Sequence, residues 1–396
     1  MTIFTVALKY LRGRLVASAL TALSVALGVS LLVASILLSR GIKAGFIEGA
    51  TDYNLVVGAK GSPTQLVLNV VFRLDAPTPN ISYSTYRRLV DDPRVEVAVP
   101  VAMGDAYQGH RYVATTGAYF ADLPWRRTTF AVSAGRLFRD DPPEQPAYEA
   151  VLGAQAARWT GLRIGDRFYE GEEMAAYPMT VVGILRPTRS ADDRAIFFSL
   201  ASYWEMNEVS RKTKVKPLTA VLVRAKRMSD LPSLHRGFNV TTETQAVFPS
   251  AILLNVFNLL GLAEEILAVI LTIVGVVVLL YLFVSMYSAT LERKREIATM
   301  RALGARRTTI LSIVLLESCA LTVIGGALGV ALGHGVAYVG ASTLAGRGGP
   351  VANVFVVGAL EPLVLASAVL LGALAGLLPA VLAYRTEVAE NLAPLS

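Results

Sequence analysis

Cysteine, histidine and charge are scarce in this chain of 396 residues. The single cysteine, Cys319, excludes an intrachain disulfide. The three histidines, His110, His235 and His334, lie far apart in sequence and show no metal-ligand spacing, so no metal site is expected. No Gly-x-x-x-x-Gly-Lys-Ser/Thr phosphate loop occurs, and no Gly-x-Ser-x-Gly nucleophile elbow. The expectation is a non-catalytic chain with no catalytic residues and no cofactor of its own. Charged residues make up only 17% and apolar residues 54%, whereas a soluble chain carries about 25% charge. With a mean hydropathy of +0.51, the composition excludes an ordinary soluble protein.

The apolar residues are concentrated in four nearly uncharged stretches, Leu15 to Leu38, Ile266 to Met286, Ile310 to Val339 and Pro362 to Ala383. Each reaches the ~20 residues that a helix needs to cross the hydrocarbon core. The fold class expected is an α-helical membrane protein with four transmembrane helices and a large α+β extracytoplasmic domain between helices 1 and 2. The expected division is 1–50 for the N-terminal segment, the first helix and a stalk, and 51–250 for the external domain. A second stalk and helix 2 take 251–290, a cytoplasmic helix 291–308, and helices 3 and 4 with the C-terminus 309–396. The stalk reading rests on Ile42, Phe46 and Ile47 after the first stretch, and on Leu253, Val256, Leu259 and Leu260 before the second. The alternative is that both are loops with scattered apolar residues.

Net charge is +7, but its distribution argues against nucleic acid. The block from Arg40 to Ser250 carries 26 basic and 22 acidic residues, a mild excess over a large surface. The short segment Glu292 to Arg307 carries six basic residues against Glu292 and Glu296, and the N-terminus adds Lys9, Arg12 and Arg14. By the positive-inside rule, both termini and the 292–307 loop are expected in the cytoplasm and the large block outside it, in the inner membrane of a cell. The first apolar run is longer than the 7 to 15 residues of a signal-peptide core and is read as a retained anchor.

That large block holds 14 of the 18 prolines. Strands are expected at Asn54 to Val57, Val95 to Val101, Arg111 to Thr116 and Thr180 to Leu185, and helices at Tyr83 to Val90 and Leu152 to Trp159. Turn clusters such as Gly61-Ser62-Pro63, Pro77-Thr78-Pro79 and Pro142-Pro143 separate them.

Between the second and third apolar stretches, Leu291 to Leu303 is rich in helix formers, and Gly304 can end a helix in the left-handed conformation. Ile297, Met300 and Leu303 give that helix an apolar edge; Arg293, Arg295, Arg301 and Arg306 supply donors for carboxylates. Alternatively the segment is a solvated basic loop that only sets topology or touches anionic lipid. Gly325, Gly329 and Gly333 on the third stretch, and Gly372 and Gly376 on the fourth, recur at four-residue steps, a spacing for close packing of helix 3 on helix 4. Glu317, two turns into an apolar helix, needs a partner, a proton or an interior position, and is a polar candidate for function or for a structural hydrogen bond.

The wording Arg293-Lys294-Arg295-Glu296-Ile297 followed by Arg301-Ala302-Leu303-Gly304-Ala305 resembles the cytoplasmic loop of permease subunits in the ABC-transporter superfamily of MacB, FtsX and LolC-LolE. Leu377-Leu378-Pro379-Ala380 with Arg385 and Glu390-Asn391-Leu392 resembles the closing signature of that family. Val151-Leu152-Gly153, Gly165-Asp166 and Val181-Val182-Gly183-Ile184-Leu185 resemble motifs of its external domain. The resemblance implies a separate, non-fused permease whose coupling helix, through Arg293, Arg295, Glu296, Ile297, Met300, Arg301, Gly304 and Ala305, docks on a cytoplasmic ABC ATPase dimer that binds the ATP and Mg. It further implies a second permease copy, identical or related, contact with membrane lipid, and a periplasmic adaptor for which the loops near Gly135 to Pro146 are the expected contact. The function implied is mechanotransmission, in which ATP binding and hydrolysis drive external conformational change and export or extraction of a lipid, lipoprotein, peptide or small hydrophobic cargo. The alternative is an FtsX-like regulator that activates a cell-wall hydrolase without moving cargo. An orphan receptor without an ATPase is disfavoured by the loop motif.

Overall fold

A computed structural model describes residues 3–74, 78–124, 126, 129–140, 145–169, 175–207, 212, 215–346, 358 and 360–385. The helices are α1 (Ile3–Gly13), α2 (Leu15–Thr51), α3 (Pro63–Val70), α4 (Tyr83–Val90), α5 (Ala154–Thr160), α6 (Leu200–Met206), α7 (Leu231–Asn239), α8 (Pro249–Glu292), α9 (Lys294–Ala302), α10 (Arg307–Gly346) and α11 (Leu360–Arg385). The strands are β1 (Leu55–Ala59), β2 (Ile81–Ser82), β3 (Val95–Tyr107), β4 (His110–Thr115), β5 (Val132–Gly135), β6 (Glu149–Leu152), β7 (Arg167–Phe168), β8 (Met179–Leu185), β9 (Ile196–Ser199), β10 (Pro217–Leu218), β11 (Ala220–Ala225) and β12 (Thr244–Val247). Pro142-Pro143, within the sequence range Gly135 to Pro146, and Glu390-Asn391-Leu392 fall outside the described residues.

The chain forms two compact units. The first takes in Met1–Arg40 and Gly261–Ala341 with α11. Among the described residues, four helices are long and apolar enough to cross a membrane: Leu15–Thr51, Gly261–Glu292, Arg307–Leu344 and Glu361–Tyr384. They run past the uncharged cores because Arg, Glu and Lys at a helix end retain water while the backbone hydrogen bonds continue. In the first span this carries the helix through Ile42, Phe46 and Ile47. In the second, the helical turns begin at Pro249.

The second unit, Gly41–Leu260 with Ser342–Ala352, is built on a ten-stranded mixed sheet of order β12-β1-β11-β3-β4-β9-β6-β8-β5, with β7 paired to β8. Neighbours are antiparallel except β4 with β9 and β6 with β8. The thirteen-residue β3 joins two halves, pairing β11 through Val95 to Val101 and β4 through Ala102 to Tyr107. Alternate side chains feed a core on each face. Leu55, Val57, Leu152, Ile196 and Phe198 point to one, with Leu89 of α4 and Leu234 and Phe238 of α7. Val56, Val151 and Phe197 point to the other, with Leu66, Val67 and Val70 of α3 and Leu253 of α8. Because both faces are covered, β1 is apolar throughout, and β6 and β9 carry the unbroken apolar runs Ala150-Val151-Leu152 and Ile196-Phe197-Phe198 without polar alternation.

The external-domain motifs have local physical reasons. Gly165 takes φ +93°, closing the turn in which Asp166 accepts from the Arg163 amide at 2.8 Å. A Cβ on Gly183 would lie 2.0 Å from the Arg136 carbonyl oxygen, so β8 and β5 pair closely only without one. Glu149 at the start of β6 is buried, accepting from Arg136 at 2.6 and 2.7 Å and from Arg139 at 2.9 Å. A second buried polar cluster joins Arg73, Tyr119 and Asp192: Arg73 Nη2 donates to Asp192 Oδ1 at 3.1 Å and the Tyr119 hydroxyl donates to the same oxygen at 2.8 Å.

Candidate functional site

The segment between the second and third spans folds as expected into a short helix. α8 ends at Glu292, Arg293 breaks the helix with φ −99° and ψ 11°, and α9 restarts at Lys294. Its C-terminus closes on Gly304 at φ +98°, with the Gly304 amide donating to the Arg301 carbonyl and the Ala305 amide to the Met300 carbonyl, both at 3.0 Å. This is a Schellman closure, which needs a left-handed residue at that point.

The eight residues expected to dock on a partner divide into two sets. Arg295, Glu296 and Gly304 are exposed, and Arg301 and Ala305 are half-buried. Arg293 and Ile297 depart from expectation and are turned inward. Ile297 is 5% exposed and packs with Ile310, Val314 and Leu282, with Met300 against the same cluster. The Arg293 guanidinium makes a two-pronged pair with Glu317 of α10, Nη1 to Oε2 at 2.9 Å and Nη2 to Oε1 at 3.0 Å. The reason is desolvation: a carboxylate on an apolar span must be neutralised, and the arginine one helix away is long enough to reach it. Leu303, by contrast, is 84% exposed at the end of α9.

Two partners of this site carried no signal in the sequence. Tyr10 of α1 lies under the Arg293 guanidinium, 4.5 Å from carbon to ring centroid, and its hydroxyl approaches the Met300 sulfur at 3.7 Å. Burial, with the Glu296 carboxylate nearby, pushes the Tyr10 phenol above its ordinary range. Ser318, beside Glu317, is fully buried and donates to the Gly372 carbonyl of α11 at 2.5 Å. A tyrosine in an N-terminal amphipathic helix and a serine in a span are both common, and only the tertiary contact distinguishes them.

The two glycine rows meet different neighbours, not each other as their spacing suggested. Gly372 and Gly376 of the fourth span do face the third, where a Cβ would meet Thr322 at 2.4 Å and Ser318 at 2.7 Å. Gly325, Gly329 and Gly333 of the third span face the first instead, with a Cβ lying 2.6 Å from the Ala22 carbonyl, 2.6 Å from Val29 and 2.8 Å from Val33. A four-residue spacing specifies a close approach but not the neighbour that makes it. The third span is therefore gripped from two sides. Near the other end of the same span, His334 lies 3.4 Å from Glu361 of α11. Among the described residues no group of three or more His, Cys, Asp or Glu is placed to hold a metal ion.

Comparison with known proteins identifies the family of the chain. Residues 18–238, more than half of the chain, match the MacB-like periplasmic core domain, and residues 268–388 match the FtsX-like permease C-terminal domain. The chain is an ABC permease of the MacB/FtsX family. The permease is 26% identical over 361 residues to the macrolide export ATP-binding/permease protein MacB of Azoarcus sp. (strain BH72), covering 84% of this chain and 51% of that protein. It is 26% identical over 224 residues to the uncharacterized ABC transporter permease YknZ of Bacillus subtilis (strain 168), covering 54% of each. It thus spans about half the length of the curated relatives it matches. The periplasmic region of MacB from Actinobacillus actinomycetemcomitans aligns with 54% of this permease and 96% of that region, at 12% identity and a TM-score of 0.38. Membership makes the permease a multi-pass membrane protein with an extracytoplasmic domain, from a family whose ATPase activity resides in a partner or a fused domain.

Proposed function

We propose that the permease transmits force from a partner ATPase dimer to its extracytoplasmic domain, which is inserted between the first and second spans. In this reading both termini and α9 face the cytoplasm, and ATP and Mg are held by the partner. A second permease copy, identical or related, completes the assembly, and the cargo is a lipid, lipoprotein, peptide or small hydrophobic molecule exported or extracted from the membrane. A periplasmic adaptor would be met by the external domain.

One observation carries the reading: α9 separates its roles by face. Ile297 and Ala298 are buried against the spans, whereas Lys294, Arg295, Thr299, Leu303 and Arg306 are exposed. An exposed Leu303 with the exposed Arg295 and Arg306 on the same short segment suits a groove with acidic walls on another protein. The spans support mechanical work over conduction. The cavity of about 180 Å³ among them is lined mainly by apolar residues such as Val25, Leu271, Leu279 and Leu371, which offer an ion or polar solute no replacement for its water.

The test is co-purification of the detergent-solubilised permease with co-expressed ABC ATPases from the same genome, comparing wild type with Arg295→Glu/Arg306→Glu. Both arginines are exposed, so the variant is expected to keep its unfolding temperature while retention of the ATPase falls at least about tenfold, the effect of reversing interfacial charges. Absence of any association with the wild type overturns the reading.

A further inference from the structure

Arg293 and Glu317 form an ion pair in which both side chains are nearly closed off, at 12% and 5% exposure. The cavity beside the pair, lined by Tyr10, Thr290, Met300 and Val314 among others, is about 20 Å³, room for roughly one water molecule. Such a pair gains little for stability over apolar side chains of the same shape, because both charges must be stripped of water. It does fix geometry: the planar guanidinium fork on a carboxylate sets distance and orientation together.

The place where it does so is specific. Arg293 is the hinge residue between α8 and α9, with helical backbone ending on one side and restarting on the other. Glu317 lies on the third span, one residue from Ser318, whose hydroxyl holds the fourth span at Gly372. The same third span meets the first along Gly325, Gly329 and Gly333. Tyr10 closes the pair from the third side.

We propose that Arg293, Glu317 and Tyr10 are positioning residues that clamp the hinge of α9 to the third span, so that displacement of α9 is delivered to the third span and, through it, to the first and fourth. The proposal rests on the coupling reading above. Without the clamp, the short Leu303 to Arg306 connection and the apolar packing of Ile297 still join α9 to the third span, but the hinge at Arg293 is released and a push on α9 dissipates in local tilting. Spatial continuity alone does not establish coupling, so the test must measure it.

The experiment uses the full chain reconstituted in lipid nanodiscs with its ATPase, as wild type, Glu317→Gln, and the exchanged pair Arg293→Glu/Glu317→Arg. For E317Q, ATPase association is expected within about twofold of wild type, because the exposed face of α9 is untouched. The permease-dependent kcat for ATP falls about tenfold or more at unchanged KM, and the exchanged pair recovers most of the loss. A spin label at Thr299→Cys in a Cys319→Ser chain, read without ATPase, becomes more mobile in E317Q and regains restraint in the exchange. A wild-type kcat in E317Q, a loss that the exchange does not restore, or unaltered label mobility overturns the clamp. If the wild type itself fails to engage the ATPase, the coupling reading has failed, and the label alone decides whether the hinge is held.

Discussion

Glu149 shows how a single side chain can carry pH dependence into the external domain. Hydrogen bonds from the Arg136 side chain, then from the Arg139 backbone and side chain, hold its carboxyl at about 2, below the ordinary 4.5. A depressed carboxyl contributes stability that is complete above 4.5 and disappears as pH falls toward 2. All three tryptophans, Trp125, Trp159 and Trp204, lie between Gly41 and Leu260, so their fluorescence reports this unit. Glu149→Gln is expected to lower the fluorescence-detected unfolding temperature at neutral pH by a few degrees, on the scale of about 2–4 °C per kcal/mol for a domain of this size. Between pH 4.5 and 2 the gap between variant and wild type should close. A gap that stays constant there refutes the assignment.

Among the elements, the third span is constrained from two sides. Its Gly325, Gly329 and Gly333 admit the backbone and valines of the first span, and its Ser318 and Thr322 fill the space opposite Gly372 and Gly376. Gly329→Leu would drive a side chain into Val29 and the Ala26 carbonyl, which lies 2.7 Å from where its Cβ would stand. Overpacking of this kind costs about 1–3 kcal/mol, read as a lower unfolding temperature in detergent. Gly335, on the same helix, has nothing within 4 Å of a Cβ, so Gly335→Leu should leave that temperature nearly unchanged. Equal losses in the two variants would show that leucine anywhere on this helix is harmful and that the first-span contact is not special.

For the molecule as a whole, the proposed topology puts α9 and the mixed sheet on opposite sides of the bilayer. Val240 is 79% exposed and Arg306 is exposed, so cysteines at these positions can react without unfolding. In a Cys319→Ser background, a membrane-impermeant maleimide applied to cells with a permeable outer envelope should label Val240→Cys. Arg306→Cys should react only after lysis. Labelling in the reverse order would invert the orientation taken from Arg12, Arg14 and the 292–307 loop. Moving clustered arginines across the hydrocarbon core is expensive, so short basic loops remain where they are made.

Much of this architecture was legible from one-dimensional pattern. Four apolar runs of bilayer length mark the spans, because a lipid-exposed helix must be apolar almost everywhere along its length. Helix α4 and strands β4 and β8 were readable for a similar reason, since propensity and neighbouring turns acted together. Strands β6, β9, β11 and β12 were not anticipated; they are short and buried on both faces, so they lack the alternation that marks a half-exposed strand. The loop from Arg293 to Ala305 declared a helix with a glycine closure, but its division into an inward and an outward face did not follow from composition. Arginine is equally suited to an exposed dock and to a buried carboxylate. Its choice depends on which helix passes within reach, and Glu317 stands 24 residues further along the chain. The glycine rows pose the same question: spacing declares a close approach, while the neighbour is selected by packing of whole helices, a long-range matter that local sequence does not encode.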